Sequence, residues 1–135
     1  MYFLDSCTCI DLMRGKLPHT YDLMRANSPK LFAIPAIVEA ELRVGAEKSA
    51  HPRENRLLLE RFLAPYAIVP FDSTCAAAYG RIRANLESRG LSIGGNDMLI
   101  AATAITHEAV LVTGNVREFQ RVPRLSIECW DEIEF

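Results

Sequence analysis

Gly95-Asn96-Asp97-Met98-Leu99-Ile100-Ala101-Ala102-Thr103-Ala104-Ile105-Thr106-His107-Glu108-Ala109-Val110-Leu111-Val112-Thr113-Gly114-Asn115 contains a helix, a strand and a polar turn in direct succession. From Gly95 to His107 the apolar residues recur at helical spacing, and Gly94-Gly95-Asn96 allows a tight turn into that helix. Ala109 to Val112 is a short apolar run of the kind that fills a buried strand, and the turn after it is polar.

The same alternation extends outward on both sides. Short apolar runs occur at Tyr2-Phe3-Leu4, Leu31-Phe32-Ala33-Ile34, Ala67-Ile68-Val69 and Leu125-Ser126-Ile127-Glu128-Cys129-Trp130. Amphipathic helical patterns fill Ala36 to Lys48, Pro52 to Leu63 and Ser73 to Ser88, and a further one covers Thr8 to Arg14. Strands alternating with helices predict an α/β fold, a three-layer α/β/α sandwich with a mainly parallel central sheet. At 135 residues, 50% hydrophobic and without a Pro/Gly/Ser linker, the chain reads as one domain over residues 1–135. A chain of this size buries about two-thirds of its unfolded surface, so its core needs no disulfide or structural metal.

Composition excludes several classes of function. The longest mostly apolar stretch, Met98 to Ile105, falls well short of the roughly 18 residues of a membrane helix. Met1-Tyr2-Phe3-Leu4 runs into Asp5 without the basic and long apolar regions of a secretory signal. The expectation is a cytoplasmic protein with no membrane association, in which Cys7, Cys9, Cys75 and Cys129 are reduced and packed as small apolar groups. One C-x-C pair with isolated His19, His51 and His107 does not make a zinc site. A formal charge of −2 supplies no overall basic field for nucleic acid. The basic residues other than Lys16, Lys30 and Lys48 are nevertheless all arginine, the side chain suited to bidentate phosphate contacts. Leu57-Leu58-Leu59 with Phe62-Leu63 makes an apolar face wider than one core stripe requires, leaving room for self-association or a partner.

Ligands of open α/β sheets bind beyond the carboxyl ends of the strands, so the residues just after each strand matter most. Asp5 follows the first strand directly, where its simplest role is to cap a helix. In Ala36-Ile37-Val38-Glu39-Ala40-Glu41-Leu42-Arg43-Val44-Gly45, helical spacing aligns Glu41 with Ile37, Val38, Val44 and Gly45 on the apolar stripe. Glu39 instead faces Arg43 at ion-pair spacing. A carboxylate on a buried face is costly unless its charge is compensated. Asp97 lies in the first turn of its helix, where the helix dipole favours it. Thr113, Asn115 and Glu118 present a hydroxyl, an amide and a carboxylate in the turn after the fourth strand. Caps, dipoles and solvated loops account for each position singly. Taken together, Asp5, Glu41 and Asp97 come from separate segments to one end of the sheet and predict a shared acidic pocket.

Tyr2-Phe3-Leu4-Asp5-Ser6, Pro35 to Gly45, Gly95 to Ala102 and Leu111 to Asn115, followed by Arg117-Glu118-Phe119 and Arg121-Val122-Pro123-Arg124-Leu125, resemble the PIN domain, and within it the VapC toxins of prokaryotic toxin–antitoxin pairs. The resemblance spans essentially the whole chain. It implies a Mg²⁺-dependent endoribonuclease, with Mn²⁺ as substitute, that acts on RNA, tRNA among the candidates. It also implies a homodimer neutralised by a cognate VapB-type antitoxin. Carried over residue by residue, it implies metal-site acids at Asp5, Glu41 and Asp97. Two departures stand out: Asn115 occupies a place where many PIN domains have Asp, leaving Glu118 as the nearest acid for a fourth position, and Ser6-Cys7 stands where Thr-Asn is common.

A divalent cation reconciles the acids with an anionic substrate, because it reverses the local sign of the pocket. Oxygen ligands suit Mg²⁺ or Mn²⁺ rather than zinc, and such a cation makes water acidic enough to attack phosphorus. Ser6, Asn96 and Thr113 are candidate donors to carboxylate or phosphate oxygens. Arg14 and Lys16 after the first helix, and Arg117, Arg121 and Arg124 around the last turn, are candidate RNA contacts. A phosphoacceptor signalling domain would need a lysine after a late strand, and Lys16, Lys30 and Lys48 are all early. A PIN-fold binding module without turnover is the alternative that Asn115 keeps open. A metal-free ribonuclease working through histidine fits three scattered histidines poorly.

Overall fold

The structure, a computed structural model that describes residues 1–130, is built around a five-stranded sheet. Strands β1 (Tyr2–Leu4), β2 (Phe32–Pro35), β3 (Ala67–Val69), β4 (Val110–Val112) and β5 (Ser126–Glu128) lie in the order β3-β2-β1-β4-β5, and every pairing is parallel. The connecting helices are α1 (Ser6–Met13), α2 (Pro18–Ala26), α3 (Ala36–Lys48), α4 (Pro52–Leu63), α5 (Ser73–Ser88), α6 (Gly95–Thr106) and the short α7 (Val116–Phe119). From β1 the chain steps outward to β2 and β3, then returns to the other side of β1 for β4 and β5. Right-handed crossovers therefore put α1 to α4 on one face and α5 to α7 on the other, giving the α/β/α sandwich the sequence predicts.

Covering both faces explains why the strands are continuous apolar runs rather than alternating ones. Phe3, Leu4, Ile34, Leu111 and Val112 are completely buried. The reversal of winding occurs between β1 and β4, where Leu4 pairs with Val112, so Asp5 and Thr113 emerge side by side at the carboxyl end of the sheet. Such a switch point is where an α/β sheet opens a crevice for ligands.

Several local readings shift. α1 starts at Ser6 rather than Thr8, because Asp5 caps it by accepting from the Ser6 N–H at 2.8 Å. Leu31 belongs to a 3₁₀ turn, Pro29–Leu31, and the last apolar run pairs only over Ser126–Glu128. α2 has no counterpart in the sequence reading. Pro18 marks its first turn, but Met24 is its one buried residue, too little to create a legible apolar period. The wide apolar face of α4 divides: Leu59 is 2% exposed and packs in the core with Phe62 and Leu63, whereas Leu57 and Leu58 are each 56% exposed. Among the described residues no helix is long and apolar enough to cross a membrane.

Candidate active site

Asp5 is held at the switch point from both sides. Its backbone N–H donates to the Val112 carbonyl at 2.9 Å, continuing the β1–β4 ladder by one residue. Its Oδ1 accepts from the Ser6 N–H, and its Oδ2 accepts from the buried Thr113 hydroxyl at 2.7 Å. The side chain is only 4% exposed, so these donors compensate a carboxylate that would otherwise be costly to bury. The cap expected of Asp5 and a place in the acidic pocket are thus compatible: one oxygen caps α1 while the other faces the turn after β4.

That turn is ordered by side chains. Thr113 Oγ1, besides donating to Asp5, accepts from the Asn115 N–H at 3.0 Å. The Asn115 amide donates to Glu118 Oε2 at 3.3 Å, so the residue that departs from the family pattern holds the neighbouring acid in place. Cys7, which stands where the family commonly has asparagine, lies between these groups. Its Sγ accepts from the Gly114 N–H at 3.3 Å and donates to Asp5 Oδ2 at 3.6 Å.

Glu41 stands slightly off the stripe expected for it. The buried line of α3 is Val38, Leu42 and Ala46, spaced by whole turns, while Val44 is 52% exposed and Gly45 is open to solvent. Glu41 therefore flanks the core, half-buried, at the rim of a groove of about 240 Å³ whose lining includes Ile10, Met13, Leu42, Leu58 and Leu59. Its Oε1 is buried and has no hydrogen-bond partner. Burial first, and then the charge of Asp5, raise the Glu41 pKa above the ordinary carboxylate value, while the polar groups of Asn96 and Ser6 offset part of the rise. Glu39 makes the surface pair the spacing predicts, 2.7 Å from Arg43.

Asp97, in the first turn of α6, is half-buried, and its carboxyl is pushed up to about 6. Burial is the largest cause, followed by the charges of Asp5, Glu41 and Glu118 in turn. Asp5, Glu41, Asp97 and Glu118 therefore share one electrostatic field although they come from four elements or their ends. Cys9, completely buried one turn into α1, has its thiol raised by burial and then by the Asp5 charge, so it is a packing residue.

Among the described residues no three acids stand close enough to enclose an ion by direct ligation alone. The arrangement fits a hard divalent cation that keeps most of its waters and takes one or two carboxylates directly. The unpartnered Glu41 Oε1 and the like-charge strain at Asp97 are what such a cation would relieve.

Of the basic residues singled out, Arg14 lines the groove beside Glu41, and Lys16, Arg117 and Arg124 are exposed. Arg121 donates to the Ser92 carbonyl at 3.2 Å, tying the end of α7 to the loop before α6.

Residues 2–125 match the PIN domain family. The chain is 40% identical to Ribonuclease VapC2 of Rickettsia felis, over 98% of this chain and 99% of that protein. It is 36% identical to the tRNA(fMet)-specific endonuclease VapC of Salmonella typhimurium, over 96% and 97%. The crystal structure of DNA-bound VapBC from Salmonella typhimurium superposes with a TM-score of 0.90 at 36% identity, again over 96% of this chain and 97% of that one. Matching sequence along the full length, matching fold, and a crowd of acids at the switch point agree, and the chain belongs to the PIN domain family as a VapC-type ribonuclease toxin of the kind a VapB antitoxin neutralises.

Proposed function

We propose that the chain, working as one cytoplasmic domain over residues 1–135, hydrolyses RNA phosphodiester bonds at Asp5, Glu41, Asp97 and Glu118 with Mg²⁺ or Mn²⁺ as cofactor. The observation that carries this reading is the buried Glu41 Oε1, which has no hydrogen-bond partner and lies within the charge field of Asp5 and Asp97. An unpaired carboxylate in such a place is expensive unless a cation completes it. Bound there, the cation would make water more acidic and offset charge developing on the phosphate oxygens.

The chain's own residues do the rest. Asp5, clamped by Ser6 and Thr113, presents a fixed carboxylate at the mouth of the crevice. Asp97 and Glu41 flank it from α6 and α3. Glu118, steadied by the Asn115 amide, supplies the fourth charge in place of the Asp that Asn115 replaces. Asn96 and Ser6 face Glu41 with polar groups. On this reading Arg14, Lys16, Arg117 and Arg121 meet the RNA backbone. The substrate favoured is a tRNA, the initiator species first, by analogy with the Salmonella relative's name. The groove beside Glu41, with Leu58 at its rim, suits the apolar side chains of a VapB-type antitoxin segment. The active form on this reading is a homodimer.

Incubation of the antitoxin-free protein with initiator tRNA, followed by mapping of RNA ends, tests the proposal. Cleavage is expected in Mg²⁺ or Mn²⁺, none in EDTA, and a loss of at least 100-fold in Asp97→Asn. Undiminished cleavage in EDTA or in that variant would refute it.

A further inference from the structure

Cys7 touches both halves of the switch point through a single atom, its sulfur. Its Sγ lies 3.3 Å from the Gly114 nitrogen, which donates to it, 3.6 Å from Asp5 Oδ2, to which it donates, and 3.7 Å from Thr113 Oγ1. Two of these partners lie far away in the sequence: Thr113 is 106 residues from Cys7 and Gly114 is 107. Asp5 Oδ2 consequently has two side-chain neighbours, the Thr113 hydroxyl at 2.7 Å and the thiol. A thiol is a weak donor and a weak acceptor, so no one of these contacts is strong. Their value lies in direction, because one sulfur reads the position of the carboxylate and of the β4–α7 turn together.

Reactive cysteines sit in electropositive surroundings, next to basic side chains or helix N-termini aimed at the sulfur. Cys7 lies in the first turn of α1 but turns its sulfur toward a carboxylate, a hydroxyl and one backbone N–H, surroundings that suit holding rather than attacking. The turn it grips carries Asn115, whose amide orients Glu118. Displacing the sulfur would free the Gly114 N–H, leave Asp5 Oδ2 with Thr113 alone, and loosen the base of the turn that delivers the fourth acid.

We propose that Cys7 is a positioning residue of the ribonuclease site, its thiol locking the turn after β4 onto Asp5 so that the acids meet their cation in fixed register. The inference rests on Asp5, Glu41 and Asp97 being the cation-binding acids. Groups that orient metal-binding carboxylates typically change metal affinity by about 10- to 100-fold when removed.

The test uses the full chain as the parent, Cys7→Ala, Cys7→Asn, Cys7→Ser and Asp97→Asn. Mn²⁺ binding is read by electron paramagnetic resonance of the free ion, alongside thermal melting and steady-state RNA cleavage. Cys7→Ala is expected to weaken Mn²⁺ binding by about tenfold and to lower kcat by a similar factor, with KM for RNA within twofold and the melting temperature close to the parent's. Cys7→Asn should recover both to within about threefold, because its amide donates toward Asp5 while its carbonyl accepts from Gly114. If Cys7→Ala does not fold, Cys7→Ser, polar but shorter in reach, is expected to show the same split. Parental Mn²⁺ binding and cleavage in Cys7→Ala overturns the inference. So does a loss that merely follows the folded fraction, or an asparagine variant no better than alanine. Asp97→Asn separates the two layers: if it binds Mn²⁺ and cleaves like the parent, the reading of the acids fails, whereas an inactive Asp97→Asn beside a parental Cys7→Ala sinks only the role of Cys7.

Discussion

Asp97 shows how a half-buried carboxylate among other acids lowers the stability of the fold that carries it. Its carboxyl is pushed up from its ordinary 3.8 to about 6, because burial and three neighbouring charges disfavour the ionised form. The folded chain therefore holds this proton more tightly than the unfolded chain does. The stabilisation that results is complete below about pH 3.8 and is lost as pH rises through about 6. Glu41, also raised, contributes with the same sign. Without a cation, Asp97→Asn should then be more stable than the parent at pH 7 by about 1 kcal/mol, the full shift being discounted for a half-exposed group. The gain should vanish at pH 4. Thermal melts in EDTA at the two pH values check this, and an asparagine variant less stable at pH 7 would show that the carboxylate is paired rather than strained.

At the scale of elements, α4 separates packing from display within two consecutive positions. Leu59 is 2% exposed and sits in the core, while Leu58 is 56% exposed at the rim of the groove. Leu59→Ala is expected to cost about 2–4 kcal/mol, since the tightly covered site cannot collapse around the cavity. Leu58→Ala should stay within about 0.5 kcal/mol. Urea denaturation distinguishes them, and equal losses would mean that Leu58 is covered in the folded protein. The width of this apolar face was legible from Leu57-Leu58-Leu59 and Phe62-Leu63, but its division was not, because helical spacing reports which residues share a side and not where the neighbouring helix ends. α3 makes the same point: Val44 looks like a core position by period, yet only the Val38, Leu42 and Ala46 line is buried. α2 escaped notice because one buried methionine leaves no period to read.

At the scale of the whole molecule, the proposed cation would link site and stability. The acids repel one another across elements that the fold must hold together, so an ion bound among them would stabilise the native state alone. Mn²⁺ at 100 times its dissociation constant should raise stability by about 2.7 kcal/mol, seen as an upward shift in melting temperature, and the shift should be largely lost in Asp97→Asn. An equal shift in parent and variant would place the ion elsewhere. The order β3-β2-β1-β4-β5 is what makes the link possible, since the reversal beside β1 leaves the carboxyl ends of β1 and β4 open between the two helical layers.

The sequence by itself determined the class of fold and three of the acids. Two-sided burial turns parallel strands into unbroken apolar runs, and Asp5, Glu41 and Asp97 each sit where a strand ends or a helix buries its side, features that nearby residues announce. The same local logic foresaw the Glu39–Arg43 pair. Only the tertiary structure decided how the acids are held: that Thr113 and Cys7 converge on Asp5 Oδ2, that Asn115 serves Glu118, and that Glu41 Oε1 is left without a donor. The Thr113–Asp5 bond joins residues 108 apart in the chain, and it exists because β1 and β4 pair in parallel with Leu4 opposite Val112. Periodicity and capping act over one or two turns of chain, whereas that register arises only when the crossovers close and the two strands meet.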